Sequence, residues 1–308
     1  MKVYHSIEEF KRIPFAVVTI GTFDGVHAGH QKIISRLTEI AKTNNGETVL
    51  LTFFPHPRMV LQPDDNNLKM ITTMDEKIEL LRGAGIHHLI IQPFSKEFSR
   101  ISATEFVRDI LVNKIGTRVL VIGYDHHFGR NREGSYKNLE ELAPVYNFQL
   151  EEITEQDVND VAVSSTKIRS ALLEGDIQTA NALLGHDFSM TGEIIEGDRI
   201  GRTLGFPTAN ISIPEKYKLI PSDGIYAVMV SLDDELRKGL LYIGKRSVFN
   251  GTRQSIEVNI FDFNREIYGK QITVFFKAFI RGDQHFENTN LLIEKMNEDK
   301  INATKILS

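Results

Sequence analysis

The sequence contains no cysteine. That removes disulfides, thiol catalysis and thiolate-ligated zinc together. It also lacks any apolar run near the roughly 18 residues of a membrane helix. Its opening stretch, MKVYHSIEEFKRIP, carries acidic residues and no apolar core, so no secretory signal is expected. Charge of one sign is missing too: 36 Lys and Arg against 41 Asp and Glu leave a formal net charge of -5. General nucleic-acid binding wants a basic surface, so only a local basic patch stays open. There is no internal repeat and no low-complexity linker. These absences predict a cytoplasmic soluble protein with neither a membrane nor a nucleic-acid partner. At 308 residues the chain exceeds a comfortable single core, which predicts two domains.

What is present starts with TIGTFDGVHAGHQK, residues Thr19 to Lys32. The β-branched run from Phe15 to Ile20 reads as a buried strand. From Gly29 onward, Ile33, Ile34, Leu37, Ile40 and Ala41 recur at helical spacing. His27 and His30 therefore fall in a strand-to-helix turn, at or just inside a helix N-terminus. Backbone N–H groups and the helix dipole attract anions there, glycines let the backbone approach a ligand, and imidazoles add donors. A phosphate chain is the natural ligand. The alternative is a tight turn with two solvated histidines. Zinc is disfavoured, since no third ligand is obvious nearby.

The first half alternates strand and helix patterns. Strands are expected over 49–54, 88–92, 119–122 and 148–153. Helices are expected over 74–84, 103–112 and 137–146, with Ser102 and Glu105 forming a capping box. This alternation argues for a doubly wound parallel sheet, whose ligands bind outside the carboxyl ends of its strands. Ser164-Ser-Thr-Lys-Ile-Arg169 opens a further helix. Its hydroxyls and basic residue suit phosphate oxygens, or an ordinary N-cap with a surface arginine. A short helix follows over 177–184. Near Gly185 helical periodicity gives way to short β runs over 190–196, 226–232, 240–243, 256–263 and 272–280. They predict a small antiparallel barrel or sandwich, closed by a helix over 288–297. The expected domains are 1–186 and 187–308.

Gly21-Thr-Phe-Asp-Gly-Val-His-Ala-Gly-His30 resembles the phosphate-binding motif of adenylyl- and cytidylyltransferases. Thr52-Phe-Phe-Pro-His-Pro57, Gly123-Tyr-Asp-His-His-Phe-Gly129 and Ser164 to Arg169 follow in order. Together they resemble the FMN adenylyltransferase module of the prokaryotic bifunctional riboflavin kinase/FAD synthetase family. Gly197-Asp-Arg-Ile-Gly-Arg-Thr-Leu-Gly-Phe-Pro-Thr-Ala-Asn210, Pro221 to Tyr226, Glu257 to Phe263 and Tyr268-Gly269 resemble that family's riboflavin kinase module. The resemblance covers essentially the whole chain.

It implies a nucleotidyltransferase-like α/β domain and a kinase barrel. Together these convert riboflavin to FMN and FMN to FAD, with ATP as co-substrate twice and Mg²⁺ as cofactor. It implies ATP contacts at Gly21, Phe23 and Gly29, with His27 and His30 on the α-phosphate. Ser165, Thr166 and Arg169 suit the β and γ oxygens. Phe53, Pro55, Pro57 and Phe128 suit apolar walls for an isoalloxazine, or strand-end packing. Asp125 and Arg281 are implied near flavin, although Arg281 equally reads as a surface charge. Gly197, Gly201 and Gly205 make a pliable loop for ATP that is not a Walker A. Thr208 and Asn210 offer neutral oxygens for Mg²⁺.

Glu257 sits in an apolar β run, where a carboxylate is costly without a partner or a task. The resemblance makes it the kinase base; by pattern alone it also reads as an outward strand charge. Departures stand at Asp125, where the family often has Asn, at His126, where it has an aromatic, and at Ser247-Val248, where it usually has Pro-Thr. Rival readings are a chain with one degenerate site, or a flavin-binding regulatory or storage protein. Any self-association is expected to be transient.

Overall fold

The computed structural model describes residues 1–63, 68–123, 126–154, 163–197, 201, 204–248 and 251–308, with backbone only for 246–248 and 251–253. Asp125 and the side chains of Ser247 and Val248 lie outside the described residues. The chain forms two compact units: Met1–Lys69 with Met74–Ser164, and Met70–Thr73 with Ser165–Ser308.

In the first unit, strands β1 (Lys2–Tyr4), β2 (Ala16–Ile20), β3 (Glu47–Phe54), β4 (His88–Pro93), β5 (Thr117–Gly123) and β6 (Gln149–Ile153) form one sheet in the order β1-β4-β3-β2-β5-β6. Every pairing is parallel. All five residues of β2 are buried, as a strand covered on both faces requires. Alternate side chains feed two cores. Val17, Leu50, Leu89 and Val121 pack with Ile34 and Leu37 of α1 (Ala28–Thr43). A short α2 (Pro57–Leu61) follows β3, and Leu81 of α3 (Met74–Gly83) joins the same core. Val18, Leu51 and Ile122 pack on the other face. They meet Phe106 and Leu111 of α4, which starts as Ala103–Glu105 and continues with wider turns over Phe106–Ile115. Leu139 of α5 (Tyr136–Tyr146) completes that core. The Ser102–Glu105 capping box forms as expected. From β2 the chain steps through β3 to β4 on one side of the sheet, whereas β5 and β6 lie on the other. The connections after β2 and β5 thus diverge at the carboxyl edge, which is where such sheets hold ligands.

The second unit carries α6 (Ser165–Glu174), α7 (Ile177–Leu184) and six strands: β7 (Ser189–Ile195), β8 (Ala209–Ser212), β9 (Gly224–Leu232), β10 (Glu235–Val248), β11 (Gly251–Ile260) and β12 (Gln271–Arg281). They close an antiparallel barrel in the order β10-β11-β8-β7-β12-β9, followed by α8 (Thr289–Ile306). Closure leaves no strand edge unpaired and settles barrel over sandwich. Ile272, Val274, Phe276 and Ala278 bury every second side chain of β12. Asn181 ties α7 to the barrel: its amide accepts the Phe188 N–H at 2.8 Å and donates to the Phe276 carbonyl at 2.8 Å. Lys218 is buried over the Phe188 ring and donates to the carbonyls of Ile71 at 2.7 Å and Ser189 at 2.8 Å. Met70 accepts from the Leu219 N–H and donates to the Tyr217 carbonyl, both at 2.7 Å. These bonds place Met70–Thr73 in the second unit.

Several elements differ from expectation: α2 is not among those expected, β10 is far longer than 240–243, and β11 starts before 256. β1, three residues long, is too short for a periodic signal. β8 begins in the last two residues of the glycine-containing motif and is only four residues long. The last helix runs past Asn297 to Ile306, because its later turns bury Asp299 and Ala303.

Candidate active sites

β2 ends at Ile20, and the Gly21 N–H still reaches the Leu51 carbonyl at 3.1 Å. The chain then makes a left-handed turn, with φ of 47° at Phe23, 80° at Gly25 and 42° at Val26. Only Gly25 takes that conformation without strain; Phe23 and the β-branched Val26 each cost about 1–2 kcal/mol. Such strain persists where surrounding contacts over-determine it. Here the Phe23 ring folds under Gly21 and is buried in the core. His27 caps α1, accepting the His30 N–H on Nδ1 at 3.4 Å. With Nδ1 accepting, neutral His27 carries its proton on Nε2. His30 stands in the first turn, its ring 3.6 Å from that of His27 and 4.5 Å from that of Phe23. Its Nδ1 is buried without a hydrogen-bond partner. Burial, then His27, then the Lys77 ammonium hold the His30 imidazole well below its ordinary pKa. His30 is therefore a neutral donor or acceptor, beside the free N–H groups of a 16-residue helix. Gly29 is buried in that first turn.

At the end of β3, Phe53 meets Phe94 and Phe98 with ring centroids 5.7 Å apart in each pair. The Phe54–Pro55 peptide is cis, Pro55 is exposed, and Pro57 opens α2. Phe128 is buried in the sheet core, 5.7 Å from Phe106, with His126 stacked 6.0 Å away. Packing is thus one task of Phe128. Ser165, Thr166 and Arg169 lie on the first turns of α6 in the second unit, with Thr166 exposed.

In the barrel, Glu257 of β11 is 6% exposed. It faces Asn210 of β8 on one side and Tyr242 of β10 on the other. Its Oε2 accepts from the Thr208 hydroxyl at 3.1 Å and its Oε1 from the Ser255 hydroxyl at 2.9 Å. The strand charge therefore stands on the face opposite the core residues Val258 and Leu241, yet it is covered rather than open to solvent. Thr208 spends its proton on Glu257, which leaves the lone pairs of its oxygen for an electrophile. Asn210 adds an amide directly across the ladder. Thr208, Asn210 and Glu257 together fit a hard cation that takes its remaining ligands from water and phosphate. The loop before them is tight: a Cβ on Gly197 would lie 2.0 Å from Asn210 Nδ2, and one on Gly201 2.4 Å from the Phe206 carbonyl. Gly205 has φ of 81° and is exposed. Arg281 is engaged elsewhere. It grips buried Asp299 of α8 through Nε at 3.0 Å and Nη2 at 2.7 Å, and Nη1 donates to the Gly282 carbonyl.

The FAD synthetase family matches residues 11–167, and the riboflavin kinase family matches residues 184–307. A bifunctional riboflavin kinase/FMN adenylyltransferase of Buchnera aphidicola (from Schizaphis graminum) is 39% identical, over 97% of this chain and 96% of its own. This chain belongs to the bifunctional riboflavin kinase/FMN adenylyltransferase family. The Listeria monocytogenes enzyme of that name is 36% identical over 92% of this chain and 90% of its own, and the Escherichia coli K12 enzyme 33% over 98% and 97%. A crystal structure of a protein called macrolide-efflux protein, from Streptococcus pneumoniae, matches with a TM-score of 0.88, 28% identity and 97% of each chain covered. Among the described residues no helix is long and apolar enough to cross a membrane. As a riboflavin kinase/FMN adenylyltransferase, the chain serves flavin cofactor synthesis. Riboflavin, FMN and ATP are its substrates, and FMN and FAD its products.

Sequence reading missed Ser255, Asn259 and Lys77. Ser255 and Asn259 flank Glu257 at a spacing of two, so strand alternation alone puts all three on one face. Asn259 donates to the Pro207 carbonyl at 2.7 Å and holds the loop that carries Thr208. Lys77 sits at the i+3 position from Met74 and the i−4 position from Leu81, a charge on the apolar stripe of α3.

Proposed function

We propose that adenylyl transfer runs at the carboxyl edge of the parallel sheet, and riboflavin phosphorylation at the Glu257 face of the barrel. The functional modules are 1–186 and 187–308. The observation that carries the first assignment is the His27–His30 stack at the start of α1, with a buried, unpartnered Nδ1 on His30. The FMN phosphate attacks the α-phosphorus of ATP and pyrophosphate leaves. A phosphate dianion needs no base, so positioning and charge stabilisation suffice. Gly21, Phe23 and Gly29 shape the phosphate cradle, Phe23 by supporting the His30 ring. His27 Nε2–H and His30 donate to the oxygens that gain charge in the transition state. Ser165, Thr166 and Arg169, on the first turns of α6, suit phosphate oxygens. Phe53, Pro55, Pro57 and Phe128 wall the isoalloxazine.

Phosphorylation of riboflavin differs, because a ribityl hydroxyl is a poor nucleophile. Glu257 accepts its proton as the oxygen attacks the γ-phosphorus of ATP and ADP leaves. Ser255 and Thr208 orient the carboxylate for that transfer. Thr208 and Asn210 would hold Mg²⁺, which would neutralise phosphate charge. Gly201 and Gly205 bring the backbone to the ATP phosphates. Arg281, paired with Asp299, borders the flavin by fixing α8 rather than by direct contact. The protein works in the cytoplasm, without nucleic acid, and self-associates only transiently. The test is incubation with riboflavin, ATP and Mg²⁺ followed by separation of FMN and FAD, repeated without Mg²⁺ and with Thr208→Val. Product formation that ignores both changes would reject the metal assignment.

A further inference from the structure

The turn between β2 and α1 is held from below by a lysine outside the phosphate-binding motif. Lys77 of α3 is 6% exposed, and its Nζ donates to the Thr22 carbonyl at 2.7 Å. Thr52 Oγ1 donates to that same carbonyl at 3.2 Å. The carboxylate of Asp24, 1% exposed, lies close enough to favour the ammonium against the burial that disfavours it. The Thr22 carbonyl thus has one neutral donor already. An apolar residue would fill the stripe of α3 without desolvating a charge. The ammonium exceeds what packing or hydrogen-bond satisfaction demands. It sits under a backbone that takes left-handed φ at Phe23, Gly25 and Val26, immediately before His27.

We propose that Lys77 is a positioning residue for adenylyl transfer: by pinning the Thr22 carbonyl and pairing with Asp24, it locks the left-handed turn that presents His27 and His30 to the nucleotide. The inference rests on the placing of the ATP phosphates at these two histidines. It adds to that reading a residue some fifty positions along the chain that never touches substrate. Two bonds converge on one carbonyl from β3 and α3, so the turn is referenced to both elements. Release of the charged one leaves the strained residues with a single neutral tether. The turn then samples other arrangements, and the imidazoles spend less time aligned with the α-phosphate. A misplacement of about 1 Å can cost about 10²-fold in rate. The loss falls on the transition state, since ground-state ATP keeps its contacts with the N–H groups of α1.

The test uses the full chain as Lys77→Met, with His30→Ala alongside. FAD formation from FMN and ATP, FMN formation from riboflavin, and the NMR titration of the His30 imidazole are measured. The expected result for Lys77→Met is a fall of about 10²-fold in kcat for FAD formation. The KM for ATP should change far less, FMN formation should stay intact, and His30 should titrate at higher pH because a nearby cation is gone. That shift reports the lost charge whatever Lys77 does for the turn, so the split between kcat and KM is the readout of positioning. If His30→Ala loses FAD formation while Lys77→Met keeps it, the Lys77 inference is overturned and the ATP site stands. If His30→Ala keeps wild-type FAD formation, the ATP site itself falls and the inference with it. Should Lys77→Met unfold the first unit, Lys77→Arg decides, since it keeps charge and donors. A folded Arg variant that makes FAD supports the proposal. An Arg variant that is folded but inactive, or that also unfolds, overturns it.

Discussion

Thr208 and Glu257 share one proton-bearing contact: the threonine hydroxyl lies 3.1 Å from Oε2 of the glutamate. The bond joins the residue proposed for the metal to the residue proposed as base, and it aims the carboxylate without consuming both of its oxygens. The second oxygen takes the Ser255 hydroxyl at 2.9 Å. A carboxylate held by two hydroxyls stays oriented until a substrate hydroxyl replaces one of them.

Glu257→Gln preserves size and most of these bonds but cannot take the ribityl proton. FMN formation should lose about 10²–10⁴-fold in kcat. FAD formation from supplied FMN should persist, because that chemistry needs no base. Steady-state assays of the two half-reactions check this; a Gln variant with wild-type FMN turnover removes Glu257 from the base role.

Replacing His27 or His30 with Ala deletes one preorganised donor. The expected cost is about 10²–10³-fold in kcat for FAD formation, with FMN formation close to normal. His27→Ala also removes the N-cap of α1, so it should lower stability by about 1 kcal/mol, where His30→Ala should not through that route. Denaturant titration beside the assays separates the two effects. Equal loss of both activities in either variant contradicts separate sites.

The buried His30 has a pKa well below the ordinary imidazole value of about 6.5, with burial as the main cause. Between that depressed value and about 6.5, the unfolded chain binds a proton that the folded chain refuses. The stability that neutral His30 contributes is therefore fully present above about pH 6.5 and is lost as pH falls toward its folded pKa. Urea unfolding of the wild type and of His30→Gln, at about pH 7 and about pH 5, measures it. The wild type should lose more stability on acidification than the variant; parallel losses contradict the assignment.

Asp299→Ala strands Arg281, which has 14% of its side chain exposed. Removing one partner of a largely buried pair costs about 3 kcal/mol. The expected consequence is a lower melting temperature for the second unit and weaker docking of α8, with FAD formation from FMN little affected. Thermal unfolding followed by near-ultraviolet circular dichroism checks the outcome. An unchanged melting temperature would show that the pair is replaceable by water.

The βα alternation was legible because β2, β3 and β5 are apolar runs and α1, α3 and α5 repeat at helical spacing. So was the place of His27 and His30, since a strand pattern meets a helix pattern across Gly21 to Gly29. The cover over Glu257 was not. Ile256 and Val258 alternate with Ser255, Glu257 and Asn259, a pattern that assigns the carboxylate to a solvated face, and only the bond from Thr208 shows that the loop before β8 closes over it. Arg281 reads as a free cation because its partner, Asp299, stands 18 residues away on another element. Phe23 and Val26 give no warning of positive φ, a conformation for which sequence patterns expect glycine.

Met70–Thr73 gives the barrel unit a history as well as a shape. The acceptor at Ile71 leaves the ribosome long before its donor Lys218, 147 residues later. Before that interval ends the first unit has all its strands in hand, while one strip of backbone waits for a partner not yet made. Closing so large a ring carries an entropy cost that grows only slowly with length, so the delay is tolerable in equilibrium terms. It still ties completion of the barrel to a segment far upstream. A nick or insertion at 70–73 would therefore be felt in riboflavin phosphorylation, although the residues that perform it lie beyond position 200.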